Sequence, residues 1–160
     1  AAHLFLIQFR RSTVLRISQS VTRKSYQLIE HTADIGIKVQ AKTRKELFQK
    51  TAAAMFDLIA EKKPSALQKL HAIRITQHAE SLDELLVYLL NELLSLSATK
   101  ELIFTRFGFS KLTDTSLSVR AIGVRNSAFR IITEIKAATF HELSVKKIKR
   151  GWQAQVIFDV

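Results

Sequence analysis

The apolar positions of this chain change period along its length, and the changes mark its elements. Tyr26 to Glu30 and Asp34 to Gln40 read as strands; in the second, Ile35, Ile37 and Val39 alternate with Asp34, Gly36 and Lys38, so one face should be buried. Thr43-Arg44-Lys45-Glu46 then forms a capping box, a hydroxyl and a carboxylate placed to satisfy free amides at a helix start. Leu47, Ala54, Leu58 and Phe48, Met55, Ile59 follow at helical spacing until Lys62, Lys63 and Pro64 stop the pattern, which makes Met55 and Phe56 core residues. Leu70 to Gln77 alternates again as a strand. A second box, Ser81-Leu82-Asp83-Glu84, opens a helix with Leu82, Leu85, Leu86, Leu89, Leu90, Leu93, Leu94 and Leu96 over most of its circumference; such a helix has to be covered on two sides. Leu102 to Phe109, Ser116 to Ile122, Phe129 to Ala137, Phe140 to Ile148 and Trp152 to Val160 read as strands, separated by polar or glycine-bearing stretches at Lys111 to Thr115, Gly123 to Ser127 and Lys149 to Gly151. Two strand–helix–strand passages followed by consecutive strands predict an α+β domain, with both helices packed on one sheet or on one face of a sandwich.

Composition narrows the class. At 160 residues and 47% hydrophobic, the chain has enough material for one domain with a core and too little for two. It has no cysteine, which excludes disulfides, thiolate zinc sites and cysteine nucleophiles and suits a reducing compartment. The longest apolar stretch, Leu82 to Leu96, is broken by Asp83, Glu84, Asn91 and Glu92, short of the roughly 18 residues that span a bilayer, so a soluble protein without a membrane partner is expected. The formal charge is +11, from 25 Lys and Arg against 14 Asp and Glu, a balance that favours acidic or polyanionic partners. Arg10, Arg11, Arg16, Arg23 and Lys24 carry much of it in residues 1–24, which hold no acid. That segment reads as a basic, flexible N-terminal extension to a domain over residues 25–160; its Arg- and Ser-bearing composition superficially resembles a transit peptide, and Leu4 to Ile7 could pair as an extra strand.

The chemistry the residues permit is narrow. With four glycines there is no dinucleotide fingerprint or phosphate loop, and no serine stands in a nucleophile elbow. His31, Asp34 and His141 could in principle form an acid–base set, although no fixed spacing requires it and a lone histidine is more often structural. The carboxylates are more informative. Asp159 adjoins the α-carboxylate of Val160 at the end of the apolar strand Val156-Ile157-Phe158, and two adjacent carboxylates repel unless a hard cation such as Ca²⁺ takes oxygens from both. Asp34 could add a third oxygen; taken singly, a solvated Asp159 and an Asp34 that caps its turn are the simpler readings. Lys146, Lys147, Lys149 and Arg150 make the last hairpin basic, which admits a weak RNA contact.

Read as a unit, Tyr26-Gln27-Leu28-Ile29-Glu30-His31-Thr32-Ala33-Asp34-Ile35-Gly36 resembles the opening of the archease family. Leu85 to Leu94 is similar to that family's second helix, Glu134-Ile135-Lys136-Ala137-Ala138-Thr139-Phe140-His141 to its late strand pair, and Trp152 to Val160 to its ending, all in the family's order. One departure is the segment Gly123 to Arg130, which lacks the acid that often follows the glycine and the histidine usual near Ile131. The resemblance implies an α+β single domain, a β-sheet or sandwich of about six to eight strands with two antiparallel helices. It implies a cytoplasmic, non-catalytic protein that activates an RtcB-type RNA ligase in tRNA splicing or RNA repair by promoting its guanylylation and turnover. It further implies a site for Ca²⁺, or another hard divalent cation, with Asp34, the side chain of Asp159 and the terminal carboxylate of Val160 as ligands, and no catalytic residues of its own. An RNA-binding or chaperone-like module without ligase dependence is the alternative.

Overall fold

The computed structural model describes residues 4–9, 13–18, 25–30, 34–64 and 68–160. Twelve strands and two α-helices follow in the order β1 (Leu4–Phe9), β2 (Thr13–Ser18), β3 (Tyr26–Glu30), β4 (Ile35–Ala41), α1 (Arg44–Ile59), β5 (Ala60–Lys62), β6 (His71–His78), α2 (Leu82–Lys100), β7 (Leu102–Leu112), β8 (Ser116–Arg125), β9 (Phe129–Ile131), β10 (Ala137–Ala138), β11 (Ser144–Ile148) and β12 (Gly151–Asp159). The expected α+β class stands. The strands exceed the expected number because short pairings of two or three residues, β5 with β9 and β10 with β12, carry no periodic signal of their own.

Both helices start where their capping residues sit. The Thr43 hydroxyl accepts from the Glu46 amide at 3.1 Å and the Ser81 hydroxyl from the Glu84 amide at 3.2 Å. In each case the glutamate reaches back one residue further than the standard box, to the amides of Lys42 and Glu80, both at 3.0 Å. α2 ends on Glu101, which adopts the left-handed conformation at φ 54° and donates its amide to the Ser97 carbonyl. α1 stops at Ile59, short of the expected Lys62: Ala60 to Lys62 peel off as β5 and pair with β9, so strand hydrogen bonds replace what would have been the last helical turn.

Two main sheets hold the helices. One has the order β10-β12-β4-β3 with β11 also on β12, and the other the order β6-β8-β7; all pairings are antiparallel. Each helix packs against strands of both sheets, α1 on β4, β12 and β7, α2 on β10, β6 and β7. Both helices, expected on one sheet or on one face of a sandwich, pack against strands of two sheets, the two-sided cover that the leucine pattern of α2 required. Leu85, Leu86, Leu89, Leu90 and Leu93 are fully buried, as are Leu47, Phe48, Met55, Ile37, Val156 and Phe158. Phe56 lies edge-on to Phe104 at 5.7 Å between ring centroids and stacks on Phe107 at 6.4 Å, joining α1 to β7. Strands β1 and β2 form a hairpin with each other, in the segment read as an N-terminal extension.

Two expected strands are shorter than their apolar pattern. The run Phe129 to Ala137 breaks into β9 and β10, because Ile132 and Thr133 donate their amides to the Ile59 carbonyl and leave the ladder. Residues Phe140 to Leu143 form a turn with Glu142 at φ 50°, so β11 begins only at Ser144. Conversely, β8 runs through Gly123 to Arg125, where a loop was expected.

Candidate functional site

The antiparallel register of β4 and β12 brings the ends of the domain together. Ile35 faces Phe158, Ile37 faces Val156 and Val39 faces Ala154, and these residues point inward, toward the helices. Alternation sends Gly36, Lys38 and Gln40 to the outer face of the sheet, together with Ile157, Gln155 and Gln153. The ladder ends at the Ile35–Phe158 pair; Asp34 precedes Ile35 in a bend outside the strand, and Asp159, the last residue of β12, pairs with Ala137 of β10. Val160 follows and packs partly on the core.

The neighbouring elements fix Asp159 from its other side. Ala137 pairs with Asp159, and the Lys136 amide donates to the Asp159 carbonyl at 2.8 Å. Thr139 gives both its amide (3.0 Å) and its hydroxyl (2.9 Å) to the Ile157 carbonyl. The free edge of β10 is closed by a side chain: Asn91 of α2 donates from Nδ2 to the Ala138 carbonyl at 3.0 Å and accepts the Ala138 amide on Oδ1 at 2.8 Å. One side-chain amide there copies the donor–acceptor pair of a neighbouring strand. In the sequence Asn91 is merely a polar interruption of a leucine-rich helix; what it serves becomes visible when β10 lies beside it.

Space is tight at Gly36: a Cβ there would lie 2.8 Å from Ile157 Cδ1 and 3.0 Å from Ile29 Cβ, so a larger residue would have to displace side chains of both flanking strands, β12 and β3. His31, Thr32 and Ala33 of the same motif lie outside the described residues. His141 is exposed beside Glu142, its Nε2 4.0 Å from the carboxylate. Among the described residues no group of three or more His, Cys, Asp or Glu side chains is arranged around a common metal position. Among the described residues, the side-chain carboxylates nearest the end of this ladder in sequence are Asp34 and Asp159, oxygen donors of the kind a hard cation takes.

The basic residues of the last hairpin do not converge. Lys146 faces Gln153 and Lys147 faces Trp152, which places them on opposite faces of the sheet. Arg44 lies over the Trp152 ring, 5.7 Å from its centroid, and is bonded to Asp114.

Fold and site together define a class: a two-sheet α+β domain that grips two capped helices and pairs its strand β4 with its last strand, β12. The chain belongs to the archease family; the model of the Archease protein family (MTH1598/TM1083) matches residues 26–160. The archease of Methanosarcina barkeri is 34% identical over 143 residues, covering 86% of this chain and 97% of that protein. The archease of Pyrococcus abyssi is 31% identical, covering 86% and 99%. The solution structure of Methanobacterium thermoautotrophicum protein 1598 superposes with a TM-score of 0.68 at 24% identity, covering 86% of this chain and all of that one. The crystal structure of a Thermotoga maritima archease, described as a possible chaperone, gives 0.57 at 21% identity, covering 89% of this chain and all of that one. At these identities the two structures speak for the fold.

Proposed function

We propose that this archease-family protein activates an RtcB-type RNA ligase, promoting its guanylylation and turnover, and that a hard divalent cation held by Asp34, Asp159 and the α-carboxylate of a chain ending at Val160 belongs to that role. The observation that carries the reading is the β4–β12 register, whose last pair, Ile35 with Phe158, is followed on the two strands by Asp34 and Asp159. A cation bound there would offset carboxylate repulsion and present positive charge to phosphate oxygens. Of the proposed ligands, Asp159 has its backbone fixed by Ala137 and the Lys136 amide, on a β10 that Asn91 holds in turn. No membrane partner enters this reading, and no helix among the described residues is long and apolar enough to cross a membrane.

The test is calcium titration together with guanylylation of an RtcB-type ligase, for the wild type, Asp159→Asn and a one-residue extension after Val160. Each variant removes a negative charge from the site while leaving Val156, Ile157 and Phe158 in place. Calcium affinity and ligase stimulation should fall together in both, with metal-free thermal unfolding unchanged. Wild-type metal binding and wild-type stimulation in both variants would refute the site. Ligase stimulation absent already in the wild type would refute the role.

A further inference from the structure

The second main sheet has a face that neither helix covers. Inward, Ile75, Phe107, Val119 and Ala121 are buried. Outward, Arg74 of β6 stands directly opposite Arg120 of β8, which in turn faces Gly108 of β7. One row along, Arg106 faces Ile122; in the other direction, Lys111 and Thr76 flank Ser118. Arg74, Arg106, Lys111 and Arg120 are all exposed. The three strands contain no Asp or Glu, and among the described residues none of these four cations has an acidic partner. Two facing arginines on adjacent strands, with no counter-charge, destabilise the sheet that carries them. An arrangement that costs stability and has no internal partner fits a ligand of the opposite sign.

We infer that the outer face of β6-β8-β7 binds the phosphodiester backbone of a nucleic-acid strand, with Arg74, Arg120, Arg106 and Lys111 as its phosphate contacts. Facing Cα positions about 5 Å apart and diagonal ones about 7–8 Å apart let long side chains reach successive phosphates. Gly108 leaves the surface flat beside Arg120, with only the Arg120 carbonyl near where a Cβ would stand, at 4.0 Å. Thr76 and Ser118 add hydroxyl donors to phosphate or ribose oxygens. The face carries no exposed aromatic ring, so it offers no stacking platform, and recognition should be independent of base sequence. A membrane surface is the poorer fit, because the exposed large apolar residues Tyr88, Ile131 and Phe140 belong to other elements and the outward positions of the three strands are mostly charged, polar or small. The hairpin lysines are the poorer cluster, since Lys146 and Lys147 point to opposite sides.

The experiment is fluorescence anisotropy of a short labelled single-stranded RNA, titrated with full-length protein over a range of salt concentrations. The proteins compared are the wild type, Arg74→Gln with Arg120→Gln, Lys111→Gln, and Lys146→Gln with Lys149→Gln. Each phosphate contact to a single strand contributes about 0.7 to the slope of log affinity against log salt, so losing two at about 0.1 M salt weakens binding roughly 25-fold and flattens the slope by about 1.4. The double arginine variant should show that loss, Lys111→Gln about fivefold, and the hairpin variant little change. Removing the facing arginines should leave the unfolding midpoint level or raise it, which separates lost contacts from lost fold. A DNA strand of the same sequence bound as tightly assigns recognition to phosphate; weaker binding assigns a share to the ribose hydroxyl, and both support the face if the arginines carry the affinity. No RNA binding by the wild type, equal losses in the sheet and hairpin variants, or binding to phosphatidylserine vesicles without RNA would each overturn it. The inference is independent of the ligase reading: RNA binding without ligase stimulation leaves it standing.

Discussion

Asn91 bonds both polar groups of Ala138, and those bonds hold β10 beside Asp159. Asn91→Ala strands a half-buried amide and a carbonyl together, so it should cost about 1 to 3 kcal/mol in chemical denaturation. If the cation site exists as proposed, calcium affinity should fall too, since β10 would no longer steady its neighbour; unchanged stability would show that water replaces the side chain without loss. Tyr26 makes a different residue-scale case. Burial, with the Asp57 carboxylate adding to it, pushes its phenol well above the ordinary value of 10.0. A group whose pKa is raised on folding contributes stability that is complete below its unfolded value and is lost as pH climbs beyond it. The wild type should therefore lose unfolding free energy above about pH 10, and Tyr26→Phe should flatten that alkaline decline. Parallel curves for the two proteins at high pH would show that Tyr26 does not govern it. Asn91 is chemically plain in the sequence, and its role lies in a strand far along the chain.

At the scale of elements, α2 is the clearest case of a pattern becoming a structure. Its leucines wrap most of the helix, and the two sheets cover both sides, with Leu86 and Leu90 fully buried. Leu86→Ala and Leu90→Ala should each cost about 2 to 5 kcal/mol, the range for large-to-small changes that leave a cavity in a packed core. Thermal or urea unfolding checks this, and near-zero change at both positions would contradict the two-sided packing. Both helix starts were legible because capping is local, a hydroxyl and an amide three residues apart. The end of α1 was not, because the helical apolar stripe continues to Ile59 and only the partner strand β9 decides that Ala60 to Lys62 extend. The same holds for the run after Phe129, where the Ile59 carbonyl competes with the ladder for two amides.

Over the whole molecule, charge is arranged by sheet. Arg74 and Arg120 face each other on the outer surface of the β6-β8-β7 sheet, so part of the net charge of +11 is concentrated on one face. The sequence alone determined the α+β class, the two capped helices, most strands and the identity of the core, because period, capping and turn chemistry act over a few residues. It also marked Asp34, Asp159 and Val160 through resemblance to a family, while their spacing by itself favoured solvated or turn-capping roles. Tertiary structure alone decided register. A slip of one residue between β4 and β12 would turn Ile37 and Val156 to opposite faces, and a slip between β6 and β8 would separate Arg74 from Arg120. No local rule sets those registers: they follow from burying Ile37 with Val156 and Ile75 with Val119 around helices contributed by other parts of the chain, and that packing carries the polar partners with it.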